Sequence, residues 1–381
     1  MSKKRIALLF GGKSGEHEVS IVSALSIYKA LDKSKYDVVM VGIDKTGRWL
    51  LPDQSQLLAE SENPRLIKLN EVKQTVSLLP FPAEHSLIGV QNGGALTLSS
   101  GSGQDLGQID VVIPVLHGTF GEDGTMQGLL ELANLPYVGS GVLGSSLCMD
   151  KDVAKRVLRD AGLPVVPFLT VRKSDYQNHA ADILALAEKE FGYPYFVKPA
   201  NMGSSVGVNK VKSATEAGAK FKDALQYDTK VLVEKGVNAR ELECSVLGNH
   251  DPEASIVGEI IPRQEFYTYD AKYIDDNGAE LAIPAKNLSQ DISISIQKYA
   301  IAAFKTLECA GLARVDFFLD RDSGEIFVNE LNTIPGFTSI SMYPKLWEAS
   351  GLPYPKLLDR LIELAIERHQ KKNELKTSYE N

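Results

Sequence analysis

The sequence is poor in cysteine and contains no long apolar run. Its 3 cysteines, Cys148, Cys244 and Cys309, are too few and too widely spaced for a disulfide framework or a zinc site with paired ligands. We therefore expect buried or free thiols in a reducing cytoplasm. The apolar run Ile6–Phe10 stops at two glycines, too soon for a signal peptide, and no run approaches the ~20 residues that span a bilayer. These absences argue against a secreted disulfide scaffold and against a membrane partner.

Positive charge is also in short supply. The 41 Lys and Arg residues are outnumbered by 49 Asp and Glu, which gives a net charge of −8. Because binding to nucleic-acid phosphates needs clustered Lys and Arg, we expect no nucleic-acid partner. The remaining composition, 44% hydrophobic and 24% charged, is typical of a soluble globular enzyme, and 381 residues suffice for two or three domains.

Apolar runs and helical periodicities alternate along the chain, which predicts an α/β fold. In the N-terminal part, the predicted strands are Ile6–Phe10, Tyr36–Ile43 and Ile109–Leu116, and the predicted helices are Val19–Leu31 and Thr125–Ala133. Residues 52–108 are irregular and are assigned only as a loop or hairpin region. Farther along, the predicted helices are Asp150–Ala161, Ala181–Glu190, Glu216–Gln226, Asp291–Ala310 and Tyr354–Glu367. The predicted strands there are Pro164–Val171, Tyr195–Pro199, Val206–Val211, Val231–Glu234, Leu242–Leu247 and Ala254–Ile261.

An acidic hairpin is predicted near the C-terminus. The β-prone runs Leu312–Leu319 and Ile326–Leu331 flank a D-R-D-S-G turn. Because side chains alternate between the faces of a strand, Arg314 and Asp316 share one face, and Glu330 and Asn332 share a face of the partner strand. The short loop would set Asp316 opposite Glu330. Such carboxylate and amide groups suit magnesium, whereas the alternative interpretation is a surface hairpin that Arg314 neutralises.

Two glycine-rich stretches imitate nucleotide-binding motifs. G11-G-K-S14 resembles the end of a P-loop, but Ala7 stands where the first glycine is required, which argues against a P-loop. G139-S-G-V-L-G144 matches the dinucleotide pattern, although Asp150 arrives too early for the ribose acid and only Asp160 lies near the required distance. A dehydrogenase built on this motif stays as an alternative.

Two further stretches fit a nucleotide better. In V197-K-P-A-N-M-G-S-S-V-G207, backbone N–H groups and the hydroxyls of Ser204 and Ser205 could wrap phosphates while Lys198 supplies charge. The alternative is an ordinary flexible hairpin. In K230-V-L-V-E-K-G-V-N-A-R-E241, the strand end at Glu234 could meet an adenine edge and Glu241 a ribose, whereas the alternative is a salt-bridged surface turn.

Together, these segments resemble the ATP-grasp superfamily, and within it the D-alanine–D-alanine ligases, over nearly the whole chain. The segments that carry the resemblance are G11-G-K-S-G-E-H-E-V-S20, H117-G-T-F-G-E-D-G-T-M-Q-G128, G139-S-G-V-L-G-S-S-L-C-M-D-K151, K198-P-A-N-M-G-S-S-V-G207, E234-K235, Y269-D-A-K-Y273 and the run from Arg314 to Ser341. The resemblance implies three domains. They are an N-terminal α/β domain with a parallel sheet (1–145), a small central lid domain (146–230) and a C-terminal catalytic domain with a mixed sheet (231–381).

The resemblance also implies roles for individual residues. On the ATP side these are Lys151, Lys198, Ser205 and Lys272 at the phosphates, Glu234, Lys235 and Val237 at the adenine, and Glu241 at the ribose. The implied ligands of two magnesium or manganese ions are Asp316, Glu330 and Asn332. For the first amino acid the implied residues are Glu16 at its ammonium, with Ser204 and Tyr273 as hydrogen-bonded partners, and His117 beside it. For the later steps they are Ser341 at the second carboxylate, and Arg314 and the Gly336 N–H as oxyanion donors.

The activity that the resemblance implies is the condensation of two D-alanines with ATP as co-substrate. A D-alanyl phosphate is the intermediate, and D-alanyl-D-alanine for peptidoglycan, ADP and phosphate are the products. A cytoplasmic homodimer is implied, with residues 265–285 as a lid that closes over the site. One alternative is a D-alanine–D-lactate ligase of the same family, against which Tyr273 argues because the relatives that form esters place a histidine in the lid. The other is an ATP-binding regulator without catalytic activity.

Overall fold

A computed structural model of the chain describes residues 3–52, 75–80, 86–90, 105–262, 279–376 and 379. The described strands fall into three sheets, each formed by one successive part of the chain. This arrangement confirms the predicted α/β class. In the described residues, no helix combines the length and the apolar character needed to cross a membrane.

The N-terminal part builds a seven-stranded sheet in the order β6-β5-β4-β3-β2-β1-β7. Its elements are β1 (Lys4–Gly11), α1 (His17–Ala30), β2 (Tyr36–Ile43), β3 (Trp49–Leu50), β4 (Thr75–Leu78), β5 (Ser86–Val90), β6 (Asp105–Gln108), β7 (Val111–Val115), α2 (Thr125–Leu132) and α3 (Val142–Met149). Strand β1 pairs in parallel with β2 and β7, and the strands from β2 to β6 pair antiparallel. The region assigned only as a loop or hairpin therefore contributes antiparallel strands.

The central part forms a four-stranded antiparallel sheet in the order β10-β9-β11-β8. Its elements are α4 (Lys151–Asp160), β8 (Phe168–Arg172), α5 (Lys173–Phe191), β9 (Tyr195–Pro199), β10 (Asn209–Val211), α6 (Ala214–Tyr227) and β11 (Lys230–Lys235). The aromatic rings of Tyr176 and Phe221 stack with their centroids 5.1 Å apart and fasten α5 to α6 above the sheet. Strand β10 is shorter than predicted, which leaves a longer loop after β9.

The C-terminal part forms a five-stranded antiparallel sheet in the order β14-β13-β12-β15-β16. Its elements are β12 (Ala239–Gly248), β13 (Glu253–Pro262), β14 (Ala279–Ala282), α7 (Gln290–Thr306), β15 (Gly311–Asp320), β16 (Ile326–Asn332), α8 (Met342–Ala349) and α9 (Tyr354–Asn373). Helix α9 packs on the N-terminal sheet, in a core that Leu312, Phe337 and Tyr343 share with β1 and α1. The C-terminal part is thereby fastened to the N-terminal sheet.

Candidate active site

The loops that follow β1 and β7 meet at one carboxylate. Because the carboxyl ends of parallel strands lie at the same edge of a sheet, these loops are neighbours. Glu16 immediately precedes α1 and is only 9% exposed. A Cβ atom would lie 2.9 Å from Glu16 Oε2 on Gly118, in the loop after β7, and 2.8 Å from it on Gly203, in the loop after β9 of the central part. Glycine at both positions therefore lets these loops approach Glu16 closely. The hydroxyl of Ser204 donates to Glu16 Oε1, a contact that agrees with the pairing implied by the resemblance.

The acidic hairpin forms in the predicted register. Strands β15 and β16 pair antiparallel, with Asp316 opposite Glu330 and Arg314 opposite Asn332. The Arg314 Nε and Nη2 atoms donate to the two carboxylate oxygens of Asp316, each at 2.7 Å, and Asn332 Nδ2 donates to Asp316 Oδ2 at 3.0 Å. Buried Glu243 on the neighbouring strand β12 places Oε2 3.1 Å from Arg314 Nε. Arg314 therefore offsets the charge of two carboxylates, Asp316 and Glu243.

Lys151 joins this hairpin to the glycine- and serine-rich loop of the central part. Its Nζ atom donates to the Met202 carbonyl at 2.8 Å and lies 3.4 Å from Glu330 Oε2. In the same loop, Ser204 and Ser205 have φ angles of 50° and 59°. Non-glycine residues seldom adopt this left-handed conformation, and such backbone strain concentrates at ligand sites. Lys151, the loop and the carboxylate cluster thus form one continuous polar site.

A buried chain of charges lies beside that site. Lys198 on β9 forms an ion pair with Glu234 Oε2 on β11, and Lys155 on α4 places Nζ 2.8 Å from Glu234 Oε1. Burial acts to raise the pKa of Glu234, but Lys155 and Lys198 outweigh it and hold the pKa at about 2. Sequence reasoning missed Lys155. Its spacing of four residues from Lys151, on the same face of a helix, was the available signal.

The remaining residues expected at the nucleotide follow Glu234 along the chain. Lys235 ends β11 and is exposed, while Val237 lies half-buried in the short connection to β12. Glu241 lies half-buried on β12, opposite Phe318 in the register with β15. These residues lie at the connection between the central sheet and the C-terminal sheet, where the resemblance implies an adenine and a ribose.

Gly336 and Ser341 lie close together after β16. A Cβ atom on Gly336 would lie 2.7 Å from Ser341 Oγ, so a larger residue would crowd this hydroxyl. Ser341 precedes α8, and its hydroxyl accepts from the Thr338 N–H at 3.0 Å. The positive end of a helix dipole suits a carboxylate at this position.

Part of the expected site lies outside the described residues. This part comprises Lys272, Tyr273 and the other residues at positions 265–278 of the expected lid. Within the part of the chain that is described, no group of three or more His, Cys, Asp and Glu side chains is placed to hold a metal ion. The acidic hairpin offers two carboxylates and an amide instead.

Comparison with protein families shows which family the chain belongs to. Residues 5–140 match the family model for the D-ala D-ala ligase N-terminus, and residues 157–363 match the model for the D-ala D-ala ligase C-terminus. The chain belongs to the D-alanine–D-alanine ligase family. The resemblance found in the sequence is thereby confirmed.

Individual ligases agree with the family models. The D-alanine–D-alanine ligase of Shouchella clausii is 52% identical over 378 residues, with 99% of each chain covered. The D-alanine–D-alanine ligase A of Escherichia coli K12 is 50% identical over 378 residues, covering 99% of this chain and all of the relative. The solved structure of the Coxiella burnetii D-alanine–D-alanine ligase aligns with a TM-score of 0.82 at 42% identity, covering 98% of this chain and 97% of that one. The VanG D-Ala:D-Ser ligase of Enterococcus faecalis aligns with a TM-score of 0.80 at 34% identity, covering 96% and 100%.

Besides Lys155, sequence reasoning missed an acidic residue of the site, Glu122. Glu122 accepts hydrogen bonds from the Gly118 N–H at 2.7 Å and from the Ile334 N–H at 3.1 Å. Burial, and after it the charge of Glu16, raise the pKa of Glu122 to about 8, although these N–H groups and Arg314 act in the opposite direction. His117, which lies nearby, donates from Nδ1 to the Ile334 carbonyl at 2.9 Å, and burial lowers its pKa. The segment from His117 to Gly128 contributed to the resemblance, but only His117 received a role from it.

Proposed function

We propose that the protein is an ATP-dependent ligase that joins two D-alanines through a D-alanyl phosphate. The observation that carries this proposal is the position of Lys151. Its ammonium lies between the 200–207 loop, which reaches Glu16 through Ser204, and the acidic hairpin at Glu330. A single cation thus links a site for an amino acid to a site for a phosphoryl group and a metal.

The reaction proceeds in two steps. A carboxylate is a poor electrophile, so an oxygen of the first D-alanine attacks the γ-phosphorus of ATP, and ADP leaves. The neutral amine of the second D-alanine then attacks the acyl carbon, where a C–N bond forms, the C–O bond to phosphate breaks and the amine loses a proton. Lys151, Lys198 and Lys272 neutralise the phosphates, which is the main requirement of phosphoryl transfer.

The residues around Glu16 and Gly336 fit the two amino acids. Glu16, held by Ser204, binds the ammonium of the first D-alanine, with Tyr273 as a further partner and His117 beside it. Ser341 at the start of α8 binds the carboxylate of the second. Arg314 and the Gly336 N–H stabilise the oxyanion that develops during the attack of the amine. Because Arg314 already donates two hydrogen bonds to Asp316, its oxyanion contact requires another of the five guanidinium N–H groups.

The nucleotide lies between the central and C-terminal sheets. Glu234, Lys235 and Val237 contact the adenine, Glu241 the ribose hydroxyls and Ser205 the phosphates. Lys198 is paired with buried Glu234, so one ammonium serves both the adenine end and the phosphate end of the site. Lys155 holds Glu234 ionised from the other side.

Magnesium fits the acidic hairpin by the chemistry of its donors. Asp316, Glu330 and Asn332 offer carboxylate and amide oxygens, the ligands that Mg²⁺ prefers, and ATP phosphates complete such sites. Two ions held there would neutralise charge on the transferred phosphoryl group, and Mn²⁺ could replace them. The contacts of Arg314 and Lys151 with the two carboxylates support this assignment, because they place positive charge beside the cluster.

The proposal is tested by phosphate release from ATP and by separation of the amino-acid products. D-alanine should stimulate phosphate release and yield D-alanyl-D-alanine, with one phosphate per dipeptide. Parallel reactions with D-alanine plus D-lactate, and with D-alanine plus D-serine, define the second substrate, since a relative at 34% identity is named a D-Ala:D-Ser ligase. ATP binding without product from any pair would favour the regulator, and an ester as main product would favour the D-lactate ligase.

Assembly and location form a separate part of the proposal. The family resemblance supports a homodimer that works in the cytoplasm, where ATP is available and where the buried free thiols Cys148, Cys244 and Cys309 would stay reduced. Light scattering coupled to size exclusion measures the assembly directly. A mass of twice 41.6 kDa is expected, and a mass of one chain at micromolar concentration would contradict the dimer.

A further inference from the structure

The loop between β16 and α8 is held by side chains of the N-terminal domain. Both backbone groups of Ile334 are engaged, because its N–H donates to Glu122 Oε1 at 3.1 Å and its carbonyl accepts from His117 Nδ1 at 2.9 Å. On the other side of Gly336, the Phe337 N–H donates to the hydroxyl of Ser23 at 3.2 Å. The dipeptide Pro335–Gly336 is thus fixed at both ends.

The anchoring groups also contact one another. The Ser23 hydroxyl lies 3.4 Å from His117 Nε2, and since Nδ1 of that ring donates to Ile334, Nε2 is the acceptor and Ser23 the donor. Burial lowers the pKa of His117 and so favours this neutral ring with one donor and one acceptor. Ser23 is fully buried on α1, and Glu122 receives a second N–H from Gly118 at 2.7 Å. Each anchor is therefore itself held in place.

We propose that Ser23, His117 and Glu122 act as positioning residues that aim the Gly336 N–H at the oxygen of the acyl group, on which negative charge develops when the amine attacks. This inference rests on the proposed function, in which Gly336 is an oxyanion donor. None of the three anchors needs to touch the oxyanion, because their bonds end on the backbone groups beside Gly336. The donor lies in the C-terminal part, whereas Glu16, which binds the first D-alanine, lies in the N-terminal part. The three anchors fix the distance between these two groups.

The expected decrease in kcat follows from the cost of losing or misplacing an oxyanion donor. Losing one oxyanion donor lowers kcat by about 10²–10³-fold, and a misplacement of ~1 Å lowers it by about 10²-fold. A weakened anchor shifts the donor without removing it, so Ser23→Ala and Glu122→Gln should lower kcat for dipeptide formation by about 10–100-fold. The KM for ATP should stay within about 2-fold of wild type, since neither anchor lies at the adenine hinge.

A control variant separates positioning from ordinary packing. Ser255 is also a fully buried serine whose hydroxyl accepts one backbone N–H, that of Ser245 at 2.9 Å. It lies on β13, without a described bond to the 334–337 loop. Ser255→Ala and Ser23→Ala should lower the urea midpoint by similar amounts, but Ser255→Ala should leave kcat within about 2-fold of wild type. Glu122→Gln serves as a second test should Ser23→Ala fail to fold.

The decisive measurement compares the two chemical steps. Oxygen-18 placed in the bond between the β- and γ-phosphates of ATP scrambles whenever D-alanyl phosphate forms and reverts, and dipeptide formation is measured in the same reaction. In Ser23→Ala and Glu122→Gln, the ratio of scrambling to dipeptide should rise at least tenfold over wild type and Ser255→Ala. An unchanged ratio, or equal loss of both steps, would overturn the positioning role. If wild type forms no dipeptide from D-alanine, the proposed function itself fails and the positioning role fails with it.

Discussion

Replacement of Lys155 by methionine tests whether the buried charges at the nucleotide hinge are arranged for function. Methionine keeps the unbranched apolar stem but removes the ammonium, which lies 2.8 Å from Glu234 Oε1. Both side chains are 2% exposed, so solvent hardly screens the pair. The variant leaves Glu234 buried with Lys198 as its remaining cation.

The expected loss of stability can be estimated from this geometry. Two unit charges 2.8 Å apart interact by about 6 kcal/mol at an effective dielectric constant of about 20. Removing one partner of a buried pair costs about 3–5 kcal/mol in practice, because the other charge stays buried. Lys198 still compensates Glu234, so we expect a loss near the lower end, about 3 kcal/mol in the free energy of unfolding.

The pH dependence of the free energy of unfolding should also change in the Lys155→Met variant. The pKa of Glu234 in the folded chain is about 2, below its usual 4.5, so ionised Glu234 stabilises the fold above pH 4.5, and this contribution disappears as the pH falls towards 2. Without Lys155, burial is opposed by one cation instead of two, and the pKa in the folded chain rises. The variant should therefore lose less stability than wild type between pH 4.5 and 2.

Urea unfolding followed by the fluorescence of Trp49 and Trp347 measures these differences, and the KM for ATP gives the functional result. We expect a KM at least tenfold higher, since Lys198 must then stay with Glu234, while the KM for D-alanine changes little. Exposed Lys189→Met on α5 is the matched control. The double variant Lys155→Met/Glu234→Gln should recover part of the stability lost by Lys155→Met. A loss below about 1 kcal/mol, or a double variant less stable than the single one, would refute the assignment of a buried charge chain.

Three further predictions concern the reaction itself. Glu330→Gln should nearly abolish ligation without unfolding the chain, because it removes one of two carboxylates from the hairpin. Activity within a few-fold of wild type at saturating magnesium would exclude a role of Glu330 as a metal ligand. Arg314→Ala should lower kcat by about 10²–10³-fold, as for a lost oxyanion donor, with a smaller effect on ATP binding; a variant that traps no acyl phosphate would show that Arg314 acts in the earlier step. With equal D-alanine and D-lactate, the dipeptide should dominate from pH 6 to 9, because uncharged Tyr273 does not repel an incoming ammonium; mainly D-alanyl-D-lactate near pH 6 would contradict this specificity.

The strands of the site were predictable because their side-chain pattern is local. In β15 and β16 the alternation of apolar and polar residues fixes which side chains share a face, and the short turn fixes the register. Near the turn, Leu319 lies opposite Ile326 and Phe317 opposite Val328, a register that would bring Asp316 opposite Asn329. A β-bulge between Asp316 and Phe317 shifts the register by one residue, so that Asp316 lies opposite Glu330 as predicted. Strands Tyr36–Ile43 and Tyr195–Pro199 were also predicted with their observed bounds, because a short apolar run is likewise a local pattern.

Two helices were missed because their sequences carry misleading signals. Helix α3 begins inside G139-S-G-V-L-G144, which suggested a dinucleotide loop. The last glycine of that motif serves packing instead, since a Cβ atom on Gly144 would lie 2.4 Å from the Glu308 carbonyl oxygen. Helix α8 contains Pro344 in its first turn. Proline is tolerated there, but in a sequence without a structure it indicates the end of a helix. Helix α9 runs to Asn373 instead of Glu367, because Arg368 stacks on Tyr137 at 4.4 Å and extends the packed face.

The anchors of the Gly336 loop could not be found from the sequence, for a different physical reason. Each joins a side chain to a backbone group, and a backbone N–H or carbonyl has no residue-type signature. The partners are also far apart, 314 residues between Ser23 and Phe337, 217 between His117 and Ile334 and 212 between Glu122 and Ile334. Helix α9 shortens these separations in space by packing the C-terminal part on the N-terminal sheet. The alignment of the oxyanion donor therefore depends on that packing as well as on the hairpin. Mutations in the shared core should slow the second chemical step because they displace these three hydrogen bonds.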